Sequence, residues 1–229
     1  MKPTLFRHLS FACLLGLSLA STASLQAANF VLNGSFEAPG SLSNDAGDGF
    51  LDGFDSIPAG GTSITGWTVI THEIARGMNG NAPSIVPAEG LFFLDLTGYS
   101  GFGAGSGGVS QTITTIPGST YRFTFDLGTL QGDSDSDGPI SVTASAAGLT
   151  PSFVHNPGGI GSQWANYGFD FVANASTTEI SILGTGGKYF IGLDNVSVTA
   201  VSPVPEPGDY AAVAGLALLA VGGWRRYRR

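Results

Sequence analysis

Apolar and polar residues alternate along much of the middle of the chain. Between residues 121 and 127 an aromatic or aliphatic side chain stands at every second position, with polar side chains between them. Shorter stretches of the same pattern occur at 169–171, 180–182 and 196–198. Because successive side chains of a strand point to opposite faces, a period of two predicts half-buried β-strands.

Glycine and proline separate these stretches into short strands. The chain contains 35 glycines and 12 prolines, and both residue types favour turns over the interior of regular elements. The clearest breaks are Pro117-Gly118, Asp137-Gly138-Pro139, Pro157-Gly158-Gly159 and the stretch 184–187. About eight to ten short strands at this spacing predict an all-β fold, an antiparallel β-sandwich or jelly roll.

The N-terminus has the layout of a secretory signal peptide. Two basic residues precede an apolar stretch, Leu9–Ala20, and small residues follow as far as Ala28. This order predicts that residues 1–28 direct export and are removed. The single cysteine, Cys13, lies inside the apolar stretch, so the mature domain is expected to fold without disulfides.

The C-terminus carries a second targeting pattern. Pro205, Glu206 and Pro207 are followed by the apolar run 210–224 and by a basic end with four arginines. At about 1.5 Å per residue this run is shorter than a bilayer core of roughly 30 Å, so it predicts a short anchor with snorkelling flanks. The arginines are expected to stay cytoplasmic, which leaves the preceding domain outside. An amphipathic helix docked on the domain is the alternative interpretation.

This tail, residues 201–229, resembles the PEP-CTERM sorting signal of bacterial envelope proteins, which an exosortase reads. The resemblance implies that Pro205, Glu206 and Pro207 form the sorting and processing motif. It also implies an exosortase-type enzyme as a partner, transient anchoring in the inner membrane, and delivery to the cell surface or extracellular matrix. The prolines lack backbone N–H groups, which keeps the motif out of helices and sheets.

The charge of the domain excludes one class of partner. Residues 29–203 contain three basic residues against fifteen acidic ones, a net charge of −12. Such a surface repels phosphate backbones, so nucleic acid is not an expected partner. It suits neutral sugars and divalent cations, although solubility alone would also explain the charge.

Five motifs in register carry a resemblance to a domain family. They look like the bacterial choice-of-anchor C domain, which is related to galactose-binding-like jelly rolls of plant cell-wall proteins and many carbohydrate-binding modules. The resemblance covers residues 29–200 and implies the fold more firmly than a function. The motifs are Asn33–Glu37, Ile64–Val69, Glu89–Gly98, Val109–Ile113 running into Pro117–Gly128, and Leu193–Val198.

Asp194 is the most informative single residue of these motifs. It shares strand parity with Val196 and Val198, so all three are expected on one side of the strand. In related carbohydrate-binding jelly rolls, a Glu of the first motif and an Asp of the last hold a structural Ca²⁺. The resemblance therefore implies Glu37 and Asp194 as calcium ligands, which suits the preference of Ca²⁺ for oxygen. The alternative is that Asp194 caps a turn or accepts local backbone N–H bonds.

Aromatic residues supply candidates for a sugar-binding surface, because flat rings stack on pyranose faces. Tyr99, Phe102, Trp164 and Tyr167 stand in glycine-rich stretches. Trp67 stands at a strand start and is expected in the core. For Trp164 a core position and a surface position are both open.

These features predict an exported envelope or biofilm-matrix protein that binds or organises extracellular polysaccharide. A structural matrix or adhesion protein with protein partners is the first alternative, and a secreted glycan hydrolase is the remote one. Enzyme activity is not expected. His72 and His155 are the only histidines after residue 28, and no nucleophile elbow or thiol accompanies them.

Overall fold

The computed structural model describes residues 28–42, 54–79, 85–98, 106–132, 137–186 and 190–201, together with Trp224 and Arg226. The described residues form eleven β-strands. In chain order these are β1 (Phe54–Pro58), β2 (Thr68–Thr71), β3 (Glu73–Met78), β4 (Phe92–Asp95), β5 (Gly108–Thr114), β6 (Thr120–Gln131), β7 (Ile140–Ala146), β8 (Ser152–His155), β9 (Gly161–Val172), β10 (Thr177–Gly186) and β11 (Gly192–Ala200).

The strands form two sheets that enclose one core. The six-stranded sheet has the order β1-β3-β4-β11-β6-β9, and the five-stranded sheet has the order β2-β5-β10-β7-β8. All pairings between these strands are antiparallel. Most neighbours in the sheets are distant in sequence, as in a jelly roll rather than a meander. The prediction of an all-β antiparallel sandwich is confirmed.

Strand β6 shows how the alternating pattern sets the core. Tyr121, Phe123, Phe125 and Leu127 are buried, whereas the residues between them are partly or fully exposed. Burying a large apolar side chain contributes about 1.5–3 kcal/mol relative to leaving it in water. The five-stranded sheet contributes apolar residues to the same cluster, namely Val69, Val109, Ile113, Ile140, Val142, Ala144, Ala146, Ile180 and Ile182.

Trp67 is a core residue, as its position at a strand start predicts. Its exposed fraction is 3%, and its ring centroid lies 5.4 Å from that of Phe36. The indole Nε1 donates a hydrogen bond of 3.0 Å to the Asn33 carbonyl. Trp67 therefore packs the loop before β1 onto the core and is not part of a ligand surface.

A β-bulge in β11 changes the face of Asp194. Asp194 pairs with Asp126 of β6, but the next residue in register is Ser197, which pairs with Thr124. β11 therefore has one more residue than β6 in this interval, which contains Asn195 with a φ of 49°. One extra residue reverses the alternation of faces along the strand. The expectation that Asp194 shares a side with Val196 is therefore wrong. Val196 lies in the core cluster, and Asp194 lies on the opposite face.

A second bulge replaces a predicted break. The stretch 184–187 was expected to end a strand, but β10 continues through Gly184 to Gly186. The register with β7 shifts between these two glycines. Glycine inside a strand often marks such a bulge, so the glycine cluster indicates an irregularity within β10 up to Gly186.

Both targeting patterns fall largely outside the described residues. Residues 1–27 of the predicted signal peptide, the motif Pro205, Glu206 and Pro207, and the apolar run except Trp224 belong there. Tyr99 and Phe102 also lie outside the described residues. In the part of the chain that is described, no helix has the length and apolar character needed to cross a membrane.

Candidate functional site

The outer face of the six-stranded sheet, the face turned away from the core, carries an indole over a floor of glycines. A Cβ added at Gly128 would lie 2.2 Å from Cδ2 of Trp164, and one added at Gly192 would lie 2.8 Å from its Cη2. Both distances are shorter than a van der Waals contact, so the indole rests where side chains of β6 and β11 would otherwise stand. Trp164 is only partly buried, so it has a surface available to solvent.

Neighbouring groups fix the orientation of Trp164. Its Nε1 donates a hydrogen bond of 2.7 Å to the Val86 carbonyl. Phe93 meets it edge to face, with ring centroids 6.2 Å apart, and Phe93 itself lies over Gly77 of β3. The tryptophan is therefore a preordered part of the surface.

A cluster of hydrogen-bond acceptors lies next to Trp164, two residues away along β6 and β9. The Asp126 carboxylate accepts from Nδ2 of Asn166 at 2.7 Å and from Nδ2 of Asn195 at 3.2 Å. Asn166 and Asn195 are exposed and Asp126 is partly buried. Each amide orients its group by donating to the shared carboxylate, so the cluster presents carboxamide oxygens and carboxylate lone pairs to solvent.

Residues 85–91, called the covering segment below, cross the outer face beside this cluster. At one end the Val86 N–H donates 2.8 Å to Oγ of Ser162 in β9. In the middle the Glu89 N–H donates 2.9 Å to Oδ2 of Asp194. The Glu89 side chain accepts a hydrogen bond of 2.8 Å from Ser35. The covering segment therefore extends from β9 over β11 to the loop before β1, which contains Ser35.

Glu37 holds the other end of the covering segment. Its Oε1 accepts hydrogen bonds from the N–H groups of Leu91 and Phe92, at 2.8 and 2.9 Å. Glu37 and Asp194, the two predicted calcium ligands, therefore both accept backbone N–H bonds from residues 89–92. Asp194 also accepts the local N–H bond of the alternative interpretation, from Asn195 at 2.7 Å, whereas the Glu89 N–H comes from a segment distant in sequence.

Asp194 is a buried acid with no exposed surface. Burial, together with a smaller effect of the nearby Asp126 carboxylate, raises its pKa from 3.8 to about 7, against the hydrogen bonds from Glu89, Asn195 and Ala88, which lower it. The carboxylate is costly to bury because it leaves water, and the backbone donors offset part of that cost.

Backbone N–H donors compete with a calcium ion for these two carboxylates. N–H donors occupy Oε1 of Glu37 and both oxygens of Asp194, whereas Ca²⁺ takes six to eight oxygen ligands. Among the described residues no group of three or more His, Cys, Asp or Glu side chains is placed to hold a metal ion. Calcium binding by Glu37 and Asp194 stays a prediction.

Tyr167 was a candidate for the sugar-binding surface, but it lies on the other face of β9. Its ring packs edge to face on Phe153 at 6.0 Å between centroids. Its hydroxyl lies 3.1 Å from Nδ1 of His155, and Nε2 of the same histidine donates to the Gln163 carbonyl at 2.9 Å. His155 is 4% exposed, so the pair closes the sandwich between β8 and β9.

Most of the polar site was not predicted from sequence. Asp126, Asn166 and Asn195 stand at ordinary polar positions of alternating strands, and only the antiparallel register brings them together. The available signal was glycine: Gly128 lies inside β6 and Gly192 begins β11, and glycine in a strand often marks the close approach of another group.

A second buried acid on the outer face predicts a pH dependence. Asp95 Oδ1 accepts from the Thr97 N–H, the Thr97 hydroxyl and the Ile191 N–H. Burial nonetheless raises the pKa of Asp95 from 3.8 to about 6. Between these values the folded protein holds a proton that the unfolded chain releases, so stability falls as the pH rises.

We expect the free energy of unfolding of the wild type, relative to Asp95→Asn, to fall by about 2 kcal/mol between pH 4 and pH 7. The asparagine keeps Oδ1 for its three donors and does not titrate. Urea unfolding at a series of pH values measures the difference. A constant difference across this range would contradict the raised pKa.

The fold and the outer-face site together define an antiparallel jelly-roll domain with a preordered aromatic and amide surface. Residues 29–197 match the family described as Protein of unknown function (DUF642), and the chain belongs to this family. No curated protein matches the sequence.

Solved structures of carbohydrate-binding modules are similar to the chain. One is described as "CBM4 structure and function", with 16% identity and a TM-score of 0.39 over 75% of this chain and 99% of that one. The module TmCBM61, solved with β-1,4-galactotriose, has 15% identity and a TM-score of 0.42 over 76% and 100%. The CBM22-1 xylan-binding domain of Paenibacillus barcinonensis Xyn10C has 12% identity and a TM-score of 0.40 over 67% and 99%.

Proposed function

We propose that this domain binds neutral polysaccharide on the outer face of its six-stranded sheet. The observation that carries the proposal is the position of Trp164 over Gly128 and Gly192, directly beside the acceptor cluster of Asp126, Asn166 and Asn195. A flat ring next to fixed polar groups is the arrangement that recognises a pyranose, which has an apolar face and a rim of hydroxyls.

The polar groups of the site favour hydroxyl donors. The Nδ2 groups of Asn166 and Asn195 already donate to Asp126. What these side chains still offer is mainly acceptor capacity, and sugar hydroxyls can supply the matching donors. A hydrogen bond to a charged acceptor contributes about 1.5–3 kcal/mol, enough to orient a sugar stacked on the indole.

The charge distribution favours neutral over acidic sugars. Of the three basic residues between 29 and 203, Arg76 is buried, Arg122 is paired with Asp170, and Lys188 lies outside the described residues. Asp126 stands in the acceptor cluster itself. An unpaired uronate or sulfate on this surface would therefore meet like charge.

The ends of the chain support a place for this activity outside the cytoplasm. The predicted signal peptide and the PEP-CTERM-like tail with Pro205, Glu206 and Pro207 favour export, processing by an exosortase-type enzyme and delivery to the envelope or extracellular matrix. In that setting the domain would attach the protein to exopolysaccharide. A matrix or adhesion protein that contacts other proteins is the competing function.

We expect Trp164→Ala to weaken binding to neutral glycans about tenfold or more, because the stacking surface is removed. The full-length protein is tested against neutral glucans, galactans and xylans and against polygalacturonate. Asn166→Ala, which changes only an exposed side chain, should also weaken binding and serves as a second variant if Trp164→Ala destabilises the fold. Leu149→Ala, in the exposed turn after β7 on the other sheet, is the matched control.

Binding of a neutral glycan that both site variants weaken and Leu149→Ala does not would support the proposal. Equal binding by all variants would place the ligand elsewhere. Absence of glycan binding, together with capture of a defined matrix protein, would favour the competing function.

A further inference from the structure

The outer face of β6 and β9 continues below Trp164 as a straight row of cross-strand pairs. Gly128 pairs with Trp164, Asp126 with Asn166, Thr124 with Gly168, and Arg122 with Asp170. Side chains two residues apart share a face, and the core-facing residues of β6 between these pairs are all buried. From Trp164 to Asp170 the row is about 20 Å long at roughly 3.4 Å per residue.

The third pair is a flat gap in the row. A Cβ added at Gly168 would lie 2.3 Å from the carbonyl oxygen of Phe123 and 2.9 Å from Cγ2 of Thr124. No larger residue fits there without moving the backbone. The row is therefore low between the acceptor cluster and the fourth pair, where only the short side chain of Thr124 rises from the sheet.

The fourth pair supplies both donors and acceptors in a fixed geometry. Nε of Arg122 lies 2.5 Å from Oδ1 of Asp170, and Nη2 of Arg122 donates a hydrogen bond of 3.0 Å to Oδ2 of Asp170. Both side chains remain about half exposed, at 53% and 42%. The forked pairing holds the guanidinium in place and leaves its remaining N–H groups, and the carboxylate lone pairs, open to hydroxyls.

We propose that the ligand is an internal stretch of a neutral glycan chain that lies lengthwise along β6 and β9. One unit stacks on Trp164, the next bonds the cluster of Asp126 and Asn166, and a unit further along the chain reaches Arg122 and Asp170. The proposal rests on the proposed function and adds the substrate class: an extended polymer rather than a terminal sugar. A single pyranose is much shorter than the row and cannot contact both ends.

The charges support this occupant. Within the row Arg122 is neutralised by Asp170, and Asp126 is the remaining charged side chain of the four pairs. The row therefore has no unpaired cation for an acidic polymer, and it has hydrogen-bonding groups at two places separated by a smooth gap. Such a spacing matches a repeating chain of neutral hydroxyl-bearing units.

The test is a length series of neutral β-1,4-linked galactose and glucose oligosaccharides, from one to six units, titrated calorimetrically into the full-length protein. We expect affinity to rise with each added unit until the chain spans the row and then to level off. The double variant Arg122→Ser with Asp170→Ser removes the far pair without leaving an unpaired charge. It should lower the affinity for the longest oligomers about tenfold and leave that for the disaccharide unchanged.

The matched control changes a cross-strand pair on the other sheet, Thr143→Ala with Ser152→Ala, whose hydroxyls lie 3.3 Å apart. It should bind every oligomer as the wild type does. If the wild type and the Arg122/Asp170 variant show the same length dependence, the lengthwise site is wrong while the proposed function stands. If the wild type binds no neutral glycan of any length, the proposed function itself fails.

Discussion

Replacing Arg76 by methionine is expected to lower the free energy of unfolding by about 3–5 kcal/mol, the usual effect of removing one member of a buried charged pair. Arg76 has no exposed surface. This burial disfavours the charged form and lowers the pKa of the guanidinium. The group is held by three backbone carbonyls, a carboxylate and an aromatic face. Its removal therefore leaves the buried Phe36 carbonyl without this donor and takes the cation away from the buried Asp55 carboxylate.

The contacts of Arg76 are specific enough to explain an effect of this size. Its guanidinium donates to the carbonyls of Phe36, Pro39 and Ser41, with distances of 2.9 Å to Phe36 and 3.1 Å to Ser41. Its Cζ lies 3.9 Å from the centroid of the Phe92 ring, a cation–π contact that strengthens when water is excluded. Nη1 is also 3.9 Å from Oδ2 of Asp55.

The control for this experiment is another arginine of the same sheet. Arg122→Met removes an exposed ion pair with Asp170, and pairs of this kind contribute about 0–1 kcal/mol. Urea unfolding of the wild type and both variants, followed by circular dichroism, compares the two positions directly. Equal and small losses for Arg76→Met and Arg122→Met would contradict the structural role assigned to Arg76.

Arg76 also links the core to the outer-face site. By binding the carbonyls of residues 36–41 it fixes the loop that carries Glu37, and Glu37 accepts the N–H groups of Leu91 and Phe92. The covering segment in turn supplies the Val86 carbonyl that orients Trp164. Arg76, on the core side of the sheet, therefore helps to position Trp164 on the solvent side, through the loop that carries Glu37 and through the covering segment.

The sequence predicted the layers of this domain because its strands alternate strongly. Tyr121 to Leu127 in β6 shows the period of two without interruption, and burial follows that period residue by residue. Local alternation reflects one buried face, which is a property of single strands. It therefore identified four of the strands, β6, β9, β10 and β11, and the apolar residues that these stretches contribute to the core.

Local alternation could not place Asp194, because one bulged residue reverses the faces. The left-handed φ of 49° at Asn195 has no unique sequence signature, since asparagine tolerates this region but does not require it. The contacts of Asp194 and Glu37 with residues 89–92 join positions 105 and 54–55 residues apart. Such contacts depend on the strand order and on the path of the covering segment, which no short motif encodes.

The site on the outer face was hidden for the same reason. Trp164 was left open between core and surface, because the alternation recognised in its strand covers only residues 169–171, several positions further along the chain. Gly128 and Gly192 become meaningful only when β6, β9 and β11 are known to be neighbours. The glycine floor and the indole are one feature whose parts come from three distant positions of the chain.

That dependence predicts a thermodynamic coupling between Gly128 and Trp164. We expect Gly128→Ala to lower the free energy of unfolding by about 1–3 kcal/mol in the wild type, because the new Cβ overlaps the indole. In a Trp164→Ala background the overlap is absent. There the same change should cost nothing or stabilise by up to about 1 kcal/mol, because alanine loses less backbone entropy than glycine inside a strand.

The double-mutant cycle isolates this coupling, which should be about 1–3 kcal/mol for two groups in direct contact. Gly158→Ala, where an added Cβ meets nothing within 4 Å, serves as the control and should show no coupling to Trp164. If Gly128→Ala costs the same in both backgrounds, the indole does not rest on the glycine floor. That result would contradict the proposed sugar-binding surface, because an indole that is free to move does not present the preordered face on which stacking depends.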